Sequence, residues 1–212
     1  MLKYQYIFWD WNGTLVNDVY AALASVNDIL AKRKRPAIDL PRYYSLMGTP
    51  ITRFYERLFA PEKPDFPLLA AEFHEGYDRH MDQYGLMPGA RNILLALRER
   101  GACQIVVSSS EKRRLNEQIS RFQLNDIFSA VLGQEDFQCS SKLESARRYM
   151  QTYSCSPSRS VMIGDLEHDF EVASALGMDC FLIAQGHQSY DSLQTLGVPV
   201  LHDISELKKH LF

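Results

Sequence analysis

The sequence lacks the cysteine spacing of a metal ribbon or a disulfide framework. Cys103, Cys139, Cys155 and Cys180 are scattered through 212 residues with no CxxC pair. No zinc-type ligand set emerges, and free thiols in a reducing compartment are the simplest reading. The basic excess of a nucleic-acid binder is also missing, since the net charge is -3. The one basic run, Lys32-Arg33-Lys34-Arg35 before Pro36, reads as the solvated last turn of a helix, where cations suit the dipole. No apolar run approaches the roughly 20 residues of a membrane span. The opening segment MLKYQYIFWD is interrupted too soon by charge to read as a signal peptide. Repeats and low-complexity segments are absent. The expectation is a cytoplasmic globular protein, monomer or homodimer, with no nucleic-acid or membrane partner.

What is present is an ordinary globular composition, 46% hydrophobic and 23% charged, enough for one large domain or one domain carrying an insert. The first informative stretch is YQYIFWDWNGTLVND, residues 4–18. An apolar run ends abruptly on Asp10, and a polar turn, Asn12-Gly13-Thr14, follows. A carboxylate at the end of a buried strand, followed by a glycine turn, is where an open α/β sheet places its chemistry.

Beyond it the pattern is helical. Ala22, Leu23, Val26, Ile29 and Leu30 recur at three- and four-residue spacing, predicting a helix over 17–35. Further helices are expected over 41–47, 51–59 and 68–83, the last carrying Leu69, Phe73, Tyr77 and Met81, with Pro61, Pro64 and Pro67 marking a loop. Residues 16–86 show no convincing strand. From Met87-Pro88-Gly89 the chain alternates. Apolar strands are expected at 104–107, 130–132, 160–163, 180–183 and 198–201, separated by helices at 92–100, 111–122, 143–152, 170–176, 192–196 and 204–211. Such alternation predicts a doubly wound parallel sheet, with an all-helical cap inserted after the first strand. The expected division is a core of residues 1–15 and 87–212 and a cap of residues 16–86.

In a parallel sheet the C-terminal strand ends share one edge, so Asp10, Ser108 and Asp165 converge. Lys142 can reach the same edge, and Asp169 follows Asp165 by one helical turn. Hard oxygen ligands suit magnesium; a hydroxyl, a lysine and backbone N–H groups suit a phosphate. Singly, each residue has an ordinary reading: Asp165, Asp169 and the serines as helix caps, Lys142 as a solvated lysine.

Together these residues resemble the haloacid dehalogenase-like hydrolases, mostly magnesium-dependent phosphatases. Asp10-Trp11-Asn12-Gly13-Thr14-Leu15-Val16 is similar to the family's first motif, DxDGT and two apolar residues. Ile105-Val106-Val107-Ser108 matches its second and Lys142 its third. Gly164-Asp165-Leu166-Glu167-His168-Asp169 matches its fourth, GDxxxD. Pro88-Gly89 resembles the re-entry from cap to core in the phosphoglycolate phosphatase-like branch. The resemblance implies a Rossmann-like core and hydrolysis of a small phosphorylated metabolite through an aspartyl-phosphate on Asp10. It implies that Mg²⁺ is held by Asp10, Asp165, the Asn12 backbone carbonyl and Asp169, and that Ser108 and Lys142 grip the phosphoryl group, with backbone N–H groups around Gly13 and Ser109 helping. Arg53 and His187 are further substrate-binding candidates. His168, inside the fourth motif, reads as a solvent-facing turn residue, and Tyr43-Tyr44 and Phe54-Tyr55 as cap core.

The departure is Asn12, where the family's phosphatases carry an acid/base Asp. An amide cannot transfer that proton. Three readings follow: a slow or selective phosphatase; a phosphonoacetaldehyde hydrolase, which needs a cap lysine (Lys32, Lys34 or Lys63); or a non-catalytic phosphate- or partner-binding protein.

Overall fold

In the computed structural model, residues 2–80, 83–134 and 141–212 are described. Met81, Cys139 and Ser140 lie outside them. The core is a six-stranded sheet in the order β5-β4-β1-β6-β7-β8. Its strands are β1 (Tyr6–Trp9), β4 (Cys103–Glu111), β5 (Ala130–Gln134), β6 (Ser160–Gly164), β7 (Asp179–Ile183) and β8 (Val200–Leu201), and all the pairings are parallel.

Alternation along β1 divides the core. Ile7 and Trp9 point to one face, with Val106, Ile163 and Phe181 and, from helix α5 (Ala90–Glu99), Ile93, Leu94 and Leu97. Phe8 points to the other, with Ile105, Val107, Met162 and Leu182, against α7 (Lys142–Thr152) and α8 (Glu167–Leu176). A strand covered on both faces must be apolar throughout, which is why β1 reads YIFW rather than alternating.

The strand order reverses at β1. The chain runs outward through β4 and β5, then returns to β6 on the other side of β1 and continues to β7 and β8. This switch point opens a crevice at the carboxyl end of β1. Trp9 lies level with Val106 and Ile163, so Asp10, Ser108 and Asp165 emerge together around that crevice.

Among the described residues, four helices lie between β1 and α5: α1 (Val19–Lys32), α2 (Leu40–Leu46), α3 (Thr52–Phe59) and α4 (Phe66–Arg79). They bury a cluster of their own, including Val26, Ile29, Tyr43, Leu46, Phe54, Tyr55, Phe59 and Leu69. The basic run at the end of α1 is ion-paired, Lys32 with Glu75, Arg33 with Glu72 and Arg35 with Glu62.

Two expectations need correction. The helical segment is entered and left by strands, β2 (Val16–Asn17) and β3 (Gly85–Leu86), paired antiparallel. Two residues per strand are too few to show periodicity. Pro67 is not in a loop but in the first turn of α4, where its missing N–H costs nothing, and Asp65 caps that turn by accepting the Leu68 N–H.

Candidate active site

The turn after β1 is fixed from below. Trp11 is fully buried; it donates its indole N–H to Gln118 at 2.6 Å and packs on Phe122 and Phe128. The next residues therefore face the crevice. Gly13 takes φ +76, and a Cβ there would run into the Asp165 carboxylate and the His187 ring. Gly186 leaves similar room: a Cβ would collide with Asp165. Only glycines let both loops close on that carboxylate.

Three buried carboxylates meet here. Ligand oxygens of Asp10, Asp165 and Asp169 all lie within 4.8 Å of one another. Thr14 donates its hydroxyl to Asp165 at 2.8 Å, and the His187 backbone N–H donates to the other oxygen at 2.7 Å. Asp169 accepts the N–H groups of Asp165 and Leu166, both at 3.1 Å, with one oxygen, and Lys142 with the other. Asp169 thus caps the start of α8 and faces the cluster at the same time. Lys142 bridges Asp10 and Asp169 at 2.5 Å each.

The electrostatics follow from burial. Desolvation pushes Asp10 up to about 6, with Lys142 opposing and Asp169 adding to the rise. Burial, with Asp10 and Asp169 adding, holds Asp165 well above the usual carboxylate range, against the pull of His187. Burial works against the charge on Lys142, but Asp10 and Asp169 outweigh it and raise its pKa. Three carboxylates against one ammonium leave excess negative charge in a dry site. An oxygen-liganded divalent cation compensates such an imbalance, so the donor set fits magnesium.

The other candidates fall into place unevenly. Ser108 is buried and its hydroxyl accepts the Ser110 N–H at 3.1 Å; Ser109 is exposed beside it. Gly13 offers a substrate little, because its N–H already goes to Asp18 at 2.8 Å and to the Val16 carbonyl at 2.9 Å; its part is steric. Arg53 is exposed on α3, and no described hydrogen bond or ion pair joins it to the cluster. His168 faces Glu171 at 3.1 Å, away from the carboxylates. Asn12 turns its amide nitrogen to Asp18 at 2.6 Å and to Tyr77 at 3.0 Å, and its carbonyl oxygen accepts from Ser110 at 2.9 Å.

Sequence reasoning missed Asp18. It precedes α1 and looks like a helix cap, yet its side chain makes no cap hydrogen bond. Instead it turns back toward the site, where it also accepts from Tyr77 at 2.6 Å and pairs with His187 Nε2 at 3.2 Å. Burial opposes charge on both partners, but each outweighs it for the other. Asp18 is held below its ordinary range, and His187 is raised to about 9. Tyr43 belongs to the helical core as expected, yet its hydroxyl also meets His187 Nδ1 at 3.0 Å. No spacing rule finds these contacts, because the partners of Asp18 lie 59 and 169 residues away.

Comparison with known proteins agrees with this geometry. A phosphoglycolate phosphatase of Rhodobacter capsulatus is 23% identical over 210 residues, covering 95% of this chain and 94% of its own. A 5'-nucleotidase of Pseudomonas aeruginosa is 25% identical over 195 residues, covering 91% and 88%. A haloacid dehalogenase-like family hydrolase from Streptococcus pneumoniae shares the fold with a TM-score of 0.84, at 17% identity and 98% coverage of both chains. The family described as haloacid dehalogenase-like hydrolase matches residues 7–183. A match of that length, over a parallel sheet with Asp10, Lys142, Asp165 and Asp169 gathered at its switch point, makes this chain a member of the haloacid dehalogenase-like hydrolases.

Proposed function

We propose that the chain is a magnesium-dependent phosphatase for small phosphate monoesters, with Asp10 as nucleophile. The observation that carries this reading is the buried cluster of Asp10, Asp165 and Asp169 with its single lysine. Its excess negative charge calls for a cation, and a phosphoryl group is the substrate that such a site can bring beside a carboxylate. Asp10, Asp165, the Asn12 backbone carbonyl and Asp169 would hold Mg²⁺, directly or through water. Bound there, the ion supplies charge neutralisation for the transferring phosphoryl group.

The residues do the rest. Asp10 attacks phosphorus; its O–P bond forms as the ester P–O bond breaks, and the leaving oxygen departs with the electron pair. Lys142 moves from Asp10 to a phosphoryl oxygen as charge shifts onto the substrate, and Ser108 and Ser109 orient that group. A water then attacks the aspartyl-phosphate: its O–P bond forms as the Asp10 O–P bond breaks, its proton leaves with the released phosphate, and the Asp10 carboxylate is regenerated. The leaving oxygen must end with a proton, and the Asn12 amide cannot deliver one. Leaving groups that depart unprotonated are therefore favoured, and unactivated alcohols should be slower by roughly 10²–10⁴-fold.

The phosphonoacetaldehyde hydrolase reading gains no support: Lys32 is ion-paired outside the site, and Lys34 and Lys63 are exposed. The relatives' names make phosphoglycolate and nucleoside monophosphates first substrates to try.

The test is turnover of p-nitrophenyl phosphate with Mg²⁺ and with a chelator. Activity that needs Mg²⁺ is expected. Burial pushes Asp10 up to about 6 in the metal-free site, so below pH 6 protons compete with the cation and more Mg²⁺ should be needed for half-maximal turnover. Absence of turnover at pH 7 with Mg²⁺ would leave only a binding role.

A further inference from the structure

We infer that Asp18 is a positioning residue of this site: it locks Asn12 as an amide, and residues 12 and 18 form a coupled pair that tolerates exchange but not single substitution. The kinetic part of the inference rests on the phosphatase reading above; the structural part does not.

The geometry is closed. Asp18 is 1% exposed. One oxygen accepts the Asn12 amide at 2.6 Å and the Tyr77 hydroxyl at 2.6 Å. The other accepts the Gly13 N–H at 2.8 Å and faces His187 Nε2 at 3.2 Å. One carboxylate thus ties the nucleophile's turn to the last cap helix and to the loop after β7. On the other side, both N–H groups of Asn12 are engaged, one by Asp18 and one by Tyr77, and its carbonyl oxygen accepts from Ser110. The amide has one allowed orientation, since flipping it would set Oδ1 against the Asp18 carboxylate.

Aspartate at position 12 would put two carboxylate oxygens where a 2.6 Å N–H···O bond now stands. Like charges at that distance repel, and a donor is lost in a buried place. The exchange Asn12→Asp with Asp18→Asn avoids this. The new amide nitrogen at position 18 would donate to the new carboxylate at position 12, and the Tyr77 hydroxyl would accept from residue 18 and donate to residue 12. Gly13 N–H and His187 would keep their oxygen on residue 18, and Ser110 its oxygen on residue 12. The carboxylate would have moved to the face of the turn that meets the substrate.

The test uses the full chain as wild type, Asn12→Asp, Asp18→Asn and the double variant. Metal-free melting at pH 7 comes first. Each single variant should melt roughly 4–10 °C lower, and the double should recover at least half of the summed loss. Additive losses, an unfolded double variant, or Asn12→Asp melting like wild type would overturn the coupling. The second readout is the ratio of kcat/KM for glycerol phosphate to kcat/KM for p-nitrophenyl phosphate, which reports the leaving-group step and not the shared aspartyl-phosphate hydrolysis. The double variant should raise that ratio by about 10-fold or more, and Asn12→Asp alone by less. A residue that merely stabilises the fold would alter both substrates together and leave the ratio unchanged. An equal gain from Asn12→Asp alone contradicts the inference. If no protein in the set turns over the aryl phosphate, the phosphatase reading fails instead, and the melting cycle alone decides the coupling.

Discussion

Asp10→Asn should reduce p-nitrophenyl phosphate turnover by about 10³-fold or more, because removing the proposed nucleophile would remove the covalent route itself. The substitution keeps size and leaves Lys142 its bond to Asp169, so folding should survive. The stability effect has the opposite sign. Asp10 is raised to about 6 in the folded chain, against roughly 4 for a free aspartate. An acid raised by folding is held against its ionisation. Its cost is absent below the unfolded pKa and fully present above the folded one. Metal-free Asp10→Asn should therefore melt no lower than wild type at pH 7, and that advantage should shrink as pH falls from 6 toward 4. A variant inactive because it is misfolded would melt lower at every pH.

Lys142→Met should have the largest stability effect. The lysine is buried and bridges two carboxylates. Methionine fills similar space, so the change isolates the charge. Removing one partner of a buried ion pair costs about 3–5 kcal/mol, or roughly 6–20 °C of melting temperature for a chain of this size. Turnover should fall by about 10²–10³-fold through loss of the proposed contact to the phosphoryl group. Magnesium should return part of the lost stability, since it compensates the same carboxylates, but little of the activity. A Lys142→Met protein that melts like wild type without metal would mean that the lysine lies outside the cluster.

How much of this was legible in the sequence depends on how local each signal is. The YIFW strand ending on Asp10, the strand ending in Gly164-Asp165, and the alternation after residue 87 are local patterns, and they placed the sheet and its reactive edge. Lys142 was found by its order in the chain rather than its surroundings. What the pattern could not show is whose hydrogen bonds each group takes. Gly13 was read as a substrate contact, yet its N–H is consumed by Asp18 and Val16. Arg53 was a candidate by charge alone, and charge says nothing about direction. Asp18 carried no signal of its place in the site because its partners, Tyr77 and His187, come from distant segments. Strands of two residues, such as β2 and β3, leave no periodicity to read.

The central claim is that Asp10 carries the phosphoryl group. Acid quench of the protein during turnover of p-nitrophenyl phosphate with Mg²⁺, followed by borohydride reduction, converts an aspartyl-phosphate into homoserine. Peptide mass spectrometry should find homoserine at residue 10 and nowhere else, and none in Asp10→Asn. Vigorous turnover with residue 10 unmodified, or with the label at Asp165 or Asp169, would contradict the account.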